Sequence, residues 1–210
     1  MKTLIAVAIA IIITGASVYL IVGGLNDEGS TSDQLLLSQW ALSPDNHLRL
    51  AKNAYDRKSL NTSQREIEQA IFAMKSVVKV SDENTSAMLQ KAVAHLDTLK
   101  ATMERGESNS REFELASAHA LNALALVNLR FSQNLSESGD IKQASKSVRT
   151  AITHLQNAVD LSSAASAKIS EKVIINDLVI LLDSLNKNGH LDEKTYTLSA
   201  RDLLELIEKD

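Results

Sequence analysis

The chain has 210 residues, a formal net charge of −4 and no cysteine. The lack of cysteine excludes disulfides, metal–thiolate sites and thiol catalysis, and the weak negative charge disfavours a nucleic-acid partner, which needs a basic surface. Aromatic residues make up 3% of the chain and hydrophobic residues 44%, with a single proline. The apolar material is therefore Ala, Leu, Ile and Val, which is typical of packed helices rather than of a β-sandwich.

Residues 1–25 are predicted to be a membrane anchor. No charged residue occurs from Thr3 to Leu25, and a helix of that length spans about 34 Å, enough for the hydrocarbon core of a bilayer. The alternative is a signal peptide cleaved near Ser17, which would leave an exported soluble helical protein. The apolar run continues through Val18–Val22, where a cleaved peptide should turn polar. A polar linker, residues 26–33, follows.

Charge predicts the orientation of this anchor. Lys2 precedes the apolar run, Asp27 and Glu28 follow it, and the next basic residue is Arg49. Lys and Arg favour the cytoplasmic side of a membrane. We therefore expect a single-pass protein with a cytoplasmic N-terminus, the lipid bilayer as one partner, and the main domain outside the cytoplasm, which is the periplasm if the cell is Gram-negative.

Residues 34–210 are predicted to form one all-α domain, a bundle or array of about six to seven antiparallel helices. A first amphipathic stretch, Gln34–Leu42, carries the only tryptophan. Ser43 followed by Pro44 predicts the start of the next helix, which runs to about residue 58. Ser63 and Glu66 match a capping box and predict another helix start. Its predicted inner face is Ile67, Ala70, Ile71, Met74, Val77 and Val78.

The next two predicted helices form the centre of the domain. Ser81-Asp82 starts one of them, and Gly106 ends it with a left-handed cap. It carries a seam at alternating spacings of three and four: Leu89, Ala92, Leu96, Leu99 and Met103. Asn109 with Glu112 caps the following helix, which runs from residue 110 to about 135. Because that helix is apolar on more than one face, we expect it to be central, with Phe131 in the core.

Three more helices complete the predicted domain. Gly139 separates the central helix from one whose apolar face runs from Ile141 to Val159. A Ser/Ala-rich joint over 162–166 leads to a widely apolar helix over 167–186, Asn188-Gly189 ends it, and Asp192 caps the last helix. The segments 91–96 and 150–155 resemble each other, which fits either a helical repeat or an Ala/Leu-rich bundle, so both architectures stay open.

The five histidines are scattered, and no pair has the spacing of metal ligands on a helix. His95 and His154 each precede a core leucine, so facing helices could bring them together, but without a local ligand pair we expect two independent boundary histidines. His119 is expected to be a buried neutral histidine, or else a pH or ligand switch. The turn 184–192 resembles part of a calcium-binding loop, but Ser184 and Thr195 occupy its two main carboxylate positions. The sequence predicts no catalytic, cofactor-binding or metal residues.

These features favour a non-enzymatic function. The first hypothesis is a membrane-anchored, extracytoplasmic scaffold or accessory protein that binds a protein partner in or near the membrane. The alternative is a ligand- or metal-sensing helical bundle with its site between helices. A groove without convergent polar groups would favour the scaffold. A pocket with His95, His119 or His154 turned inward would favour the sensor.

Overall fold

The structure, a computed structural model, describes residues 11–14, 17–20, 43–79, 81–163 and 165–208. Contacts divide the chain into two units, residues 1–34 and 35–210. The predicted linker and the predicted stretch 34–42 lie outside the described residues.

The first unit contains a short hairpin within the predicted membrane segment. Strands β1 (Ile11–Thr14) and β2 (Ser17–Leu20) pair antiparallel, with Ile12 opposite Tyr19. These eight residues are mostly β-branched, and such side chains favour strands as readily as an apolar helix. None of the helices in the described ranges is both long and apolar enough to cross a bilayer. The membrane helix over residues 3–25 is therefore not confirmed.

The second unit is all-α over its described residues, as the sequence predicts. Seven helices follow one another: α1 (Ser43–Asp56), α2 (Leu60–Val78), α3 (Glu83–Glu104), α4 (Ser110–Glu137), α5 (Ile141–Leu161), α6 (Ala165–Asn188) and α7 (Glu193–Glu208). The joint between α5 and α6 is shorter than predicted, and α6 extends two residues further at each end.

The helices close around α4. Each helix packs against the next one in the chain, and α4 also contacts α7 and α1, while α1 contacts α5. A linear repeat array would limit contacts to near neighbours in the chain. The long-range contacts of α4 and α1 therefore identify the unit as a bundle.

Most predicted helix ends are confirmed. Asp82 accepts a hydrogen bond from the Thr85 backbone N–H at 3.0 Å, and Asn109 and Glu112 form the predicted reciprocal capping box. Two of the three predicted glycine stops, Gly106 and Gly139, have positive φ values of 70° and 83°, the left-handed region in which glycine is favoured.

The predicted capping box at Ser63 is wrong. Helix α2 begins three residues earlier, at Leu60, and Ser63 lies inside its first turn. The buried Ser63 hydroxyl donates to the Ala51 carbonyl of α1 at 2.8 Å, and Glu66 instead contacts His47. Both side chains of the local pattern thus serve contacts between α1 and α2 that no local pattern reveals.

Helix α4 is the centre of the core. Every residue from Ala116 to Leu129 is buried, which confirms the predicted central position. Phe113 is fully buried at the start of the helix, whereas Phe131 is only partly buried and packs at the edge of the core. The structure therefore places Phe131 at the edge of the core and not at its centre, because the continuous buried stretch of α4 ends at Leu129.

The different burial of the two phenylalanines predicts different losses of stability when each is replaced by alanine. Phe113→Ala should lower the free energy of unfolding by about 3–5 kcal/mol, the usual range for a buried aromatic. Phe131→Ala should cost at least about 1 kcal/mol less, because less apolar area leaves contact with the core. Denaturant melts measure both, with Glu208→Ala on the exposed end of α7 as a control that changes stability by less than about 0.5 kcal/mol. Equal costs for the two phenylalanines would contradict this description of the core.

Candidate functional site

A buried polar cluster joins α1, α4 and α5. Asp45 of α1, Asn128 of α4 and His154 of α5 are 5%, 5% and 0% exposed. The Nδ1 atom of His154 lies 2.8 Å from Asp45 Oδ2, and the Asn128 amide nitrogen lies 3.2 Å from His154 Nε2. A side chain from each of three helices therefore meets at one point in the core.

The hydrogen bonds of this cluster define its chemistry. The Asn128 amide donates to the Leu124 carbonyl at 3.0 Å, so its nitrogen faces His154 and the Nε2 atom accepts. The proton of a neutral His154 is then on Nδ1, beside Asp45. The Nδ1 and Oδ2 atoms are close but lie out of line for a hydrogen bond, so their contact is electrostatic. Asn157 of α5 donates to the other Asp45 oxygen at 2.7 Å.

This arrangement resembles the acid–base half of a catalytic triad without its third member. In a catalytic triad the Nε2 atom of the histidine faces the nucleophile. The Nε2 atom of His154 faces the amide of Asn128 instead, and an amide is not a nucleophile. What the cluster does is tie α1 to α4 and α5 through buried polar contacts. Sequence reasoning placed His154 at the edge of an apolar face and did not single out Asp45, because Asp45 and Asn157 are 112 positions apart and no local motif connects them.

Asp45 also lines a cleft with a volume of about 550 Å³. Helix α1 forms one wall, the end of α5 and the start of α6 form the other, and Glu114 of α4 closes one side. The cleft volume falls within the range of about 300–1,000 Å³ that is usual for small-molecule sites. Of the charged residues that line the cleft, Asp45 alone belongs to the buried polar cluster described above.

Several charges in the cleft are satisfied within the protein. Lys52 binds Asp56 at 2.6 Å. Glu114 accepts hydrogen bonds from the Ser163 backbone N–H at 2.9 Å and from the Ser110 hydroxyl at 3.2 Å. Burial alone would raise the pKa of Glu114, but the hydrogen bonds from Ser163 and Ser110 and the charge of Lys52 hold that pKa below its ordinary value of 4.5. Glu114 is therefore ionised at neutral pH and fixes the α5–α6 joint.

Three other charged residues of the cleft lack such a partner among the described residues. Arg49, Asp160 and Lys168 line it, and none of the three makes an ion pair or hydrogen bond within the part of the chain that the structure describes. Arg49 and Asp160 are exposed, and Lys168 is half-buried. These side chains are available to a ligand.

The other histidines are placed differently from what the sequence suggested. His95 lies against His119, with ring centroids 4.4 Å apart, and His154 contacts Asp45, so the suggested meeting of His95 and His154 does not occur. The buried His119 contacts the Ile207 carbonyl of α7 through Nε2 at 2.9 Å. Within the described ranges, no group of three or more His, Asp or Glu residues could hold a metal ion.

The turn after α6 uses its polar residues for packing. Asn186 accepts a hydrogen bond from the Ser145 hydroxyl of α5 at 2.8 Å, and the Asn188 amide donates to Ser184 one turn earlier. Gly189 has a φ of 72° and ends the helix. These contacts fit a plain helix–turn–helix connection rather than a calcium-binding loop.

Helix α6 exposes a second apolar face. Its inner side is buried through Ile174, Leu178, Leu181 and Leu185. Four aliphatic residues point to solvent on the other side and are exposed by 50–65%: Ile169, Val173, Val179 and Ile180. The sequence indicated a widely apolar α6, and the structure shows that only one side of it is needed for the core.

The Asp45–His154 contact predicts a coupled loss of stability. Asp45→Ala and His154→Ala should each cost about 3 kcal/mol or more, because each leaves a buried polar partner unmatched. The double variant should cost less than the sum of the two by about 1–3 kcal/mol. Denaturant melts of the four proteins give this difference.

The contact between His47 and Glu66 is the matched control for that cycle. It also joins a histidine to a carboxylate at 2.8 Å, but its side chains are 28% and 14% exposed. Its coupling should stay below about 1 kcal/mol, because both side chains are partly exposed and water screens their attraction. Additive effects at Asp45 and His154 would show that the two side chains stabilise the fold independently.

Comparison with protein-family models, with curated proteins and with solved structures yields no match to this chain.

Proposed function

We propose that the protein is a non-enzymatic helical scaffold or accessory protein that binds a protein partner through the outer face of α6. The apolar run at its N-terminus would hold it at a membrane, with the helical domain outside the cytoplasm and the partner in or near the same membrane. The observation that carries the proposal is the exposure of Ile169, Val173, Val179 and Ile180 on one helix.

The spacing of these residues suits helix recognition. Ile169, Val173 and Ile180 follow one another at intervals of four and seven, so they share one side of α6, with Val179 beside them. Partner helices are commonly bound through anchors at such intervals. Fully burying one aliphatic side chain stabilises a complex by about 1.5–3 kcal/mol. These four side chains are 50–65% exposed, so burying the exposed part of each would contribute roughly half of that amount.

The surroundings of this face fit a protein interface rather than a packing defect. Lys172, Asn176 and Asp177 lie among the apolar residues on the outer part of α6. An apolar centre with polar residues around it is the usual composition of an interface between proteins. The exposed residues contribute little to the bundle, because the core residues of α6 (Ile174, Leu178, Leu181 and Leu185) lie on its opposite side.

Site-specific photo-cross-linking in the cells that make the protein tests the proposal. A photoreactive amino acid is placed at Val173 or at Ile180, and as a control at Lys91, an exposed residue of α3. We expect the same adduct from both α6 positions and no such adduct from Lys91, because only α6 presents the apolar face. Adducts that are identical at all three positions, or that are missing from both α6 positions, would refute the proposal.

Two substitutions separate loss of binding from loss of folding. Ile169→Asp, on the exposed face, should abolish the adduct at Ile180 and change stability by less than about 0.5 kcal/mol. Leu181→Asp, on the buried face, should unfold the domain because it places a charge in the core. Circular dichroism of the two purified variants distinguishes these outcomes.

The membrane part of the proposal has its own measurement. The mature protein should retain its N-terminal apolar run and stay in the membrane fraction after an alkaline wash, because about 20 apolar residues suffice to hold a chain in a bilayer. N-terminal sequencing and intact mass of the native protein decide. A mature chain that begins near Ser17 would instead identify an exported soluble protein, and the α6 proposal would then apply to that form.

Ligand sensing is the second candidate function, and the cleft favours it. His154 is turned inward, and its partner Asp45 forms part of the cleft wall. A ligand that displaced or attracted Asp45 would act directly on the contact that ties α1 to α5. The absence of a metal-ligand group among the described residues directs this candidate to an organic ligand.

A further inference from the structure

We propose that the outer face of α6 binds the same face of a second copy of this chain, with the two α6 helices parallel and side by side. This inference rests on the proposed function, because it names the partner of the same surface. Two observations carry it: the spacing of the residues along the face, and two opposite charges that flank the face without a partner.

The outer residues of α6 follow the repeat of a coiled coil. Ile169, Val173, Asn176 and Ile180 succeed one another at intervals of four, three and four, the alternation that brings each side chain against a neighbouring helix. All four are exposed, and the buried residues of α6 lie on its opposite side. These four residues, the outer seam, therefore have the geometry of a coiled-coil contact that lacks its second helix.

Two opposite charges flank the outer seam on different sides. Lys172 and Asp177 are five residues apart, so they point about 140° away from each other and cannot pair within one helix. Neither makes an ion pair or hydrogen bond within the part of the chain that the structure describes.

Parallel pairing with a second copy would give both charges a partner. In a parallel coiled coil, the residue before one seam position lies beside the residue five positions further on in the other helix, and charges there determine partner and orientation. Lys172 of each copy would therefore meet Asp177 of the other copy. The two-fold symmetry of such a dimer makes this two ion pairs.

Asn176 favours the parallel arrangement over the antiparallel one. In parallel pairing it faces its own copy, and two amides can donate to each other and accept from each other. The antiparallel register that brings Ile169 against Ile180 would set Asn176 against Val173, whose side chain forms no hydrogen bond. The amide would then lose its contact with water without gaining a partner.

The outer seam is short, so we expect a reversible dimer. The next two seam positions, Asp183 and Lys187, bind each other within one helix at 2.6 Å, which ends the apolar contact after Ile180. An isolated helix of this length would be only marginally stable. The bundle already holds α6 in its helical form, so pairing does not have to order the helix.

Single cysteines test both the partner and the direction of pairing, because the chain has no cysteine of its own. Full-length Ile169→Cys and Ile180→Cys proteins are each oxidised with diamide in detergent. In the parallel dimer, each variant should form a disulfide with its own copy, because equal positions face each other. In an antiparallel dimer, only a mixture of the two variants should cross-link, because the two positions are about 16 Å apart along the helix.

The matched control is Phe72→Cys on α2. Phe72 is 55% exposed and Ile180 is 58% exposed, so the two cysteines are equally accessible to the oxidant. The Phe72→Cys protein should stay monomeric, because Phe72 lies outside the outer seam.

A charge exchange tests the two ion pairs. In the Ile180→Cys protein, Lys172→Glu should slow disulfide formation about tenfold, because it makes two attractive pairs repulsive. Asp177→Lys should have the same effect. Lys172→Glu combined with Asp177→Lys should restore the rate, because both pairs return with their signs exchanged. Circular dichroism should show the same helix content in all of these proteins.

The outcomes separate this inference from the proposed function. Cross-linking in the mixture alone, equal cross-linking of the Phe72→Cys protein, no disulfide in any variant, or no recovery in the charge exchange would each overturn the parallel dimer. Photo-cross-links from Val173 and Ile180 to a different protein would then leave the scaffold function with another partner. Their absence as well would refute both.

Discussion

The structure of the helical unit depends on the burial of α4 from all sides. Fourteen consecutive residues of this helix, Ala116 to Leu129, are buried, and a helix that is apolar on most of its faces must be enclosed. Neighbours on several sides follow from that requirement. Helices α3 and α5 flank it in the chain, and α7 and α1 return to it from the two ends. The bundle is closed because the other helices must shield this largely apolar segment from water on every side.

The buried polar residues of α4 determine how the neighbouring helices are aligned along it. Four of them lie inside the largely apolar stretch, and three of these four each contact a different helix: His119 contacts α7, Asn122 contacts Glu171 of α6 at 3.3 Å, and Asn128 contacts His154 of α5. An apolar surface alone tolerates sliding and rotation of its neighbours. A buried polar group loses its partner when a neighbour slides, which costs about 1–3 kcal/mol. These contacts therefore fix which residue of each neighbour faces α4.

The sequence predicted those features of the fold that depend on neighbouring residues. The caps at Asp82 and Asn109, the glycine stops and the seam of α3 are local patterns, and the structure confirms them. Ser63 was misassigned because a serine can cap its own helix or bond to another one, and only the tertiary structure decides. The Asp45 cluster was missed for a related reason. Its members come from three helices, and each looks alone like an ordinary polar residue.

The two candidate sites both involve α6, and its packing explains why. Stability requires only the inner side of this helix, where Ile174, Leu178, Leu181 and Leu185 are buried. The outer aliphatic residues are not needed to close the core, and their exposure to water is unfavourable. The N-terminal turn of the same helix is open to the cleft because α5 ends before it and leaves Asp160 and Lys168 on opposite sides of the joint. A partner on the outer face and a ligand at the N-terminal turn would therefore contact one rigid helix, so binding at either place could influence the other only through a shift of α6 against α5 and α7.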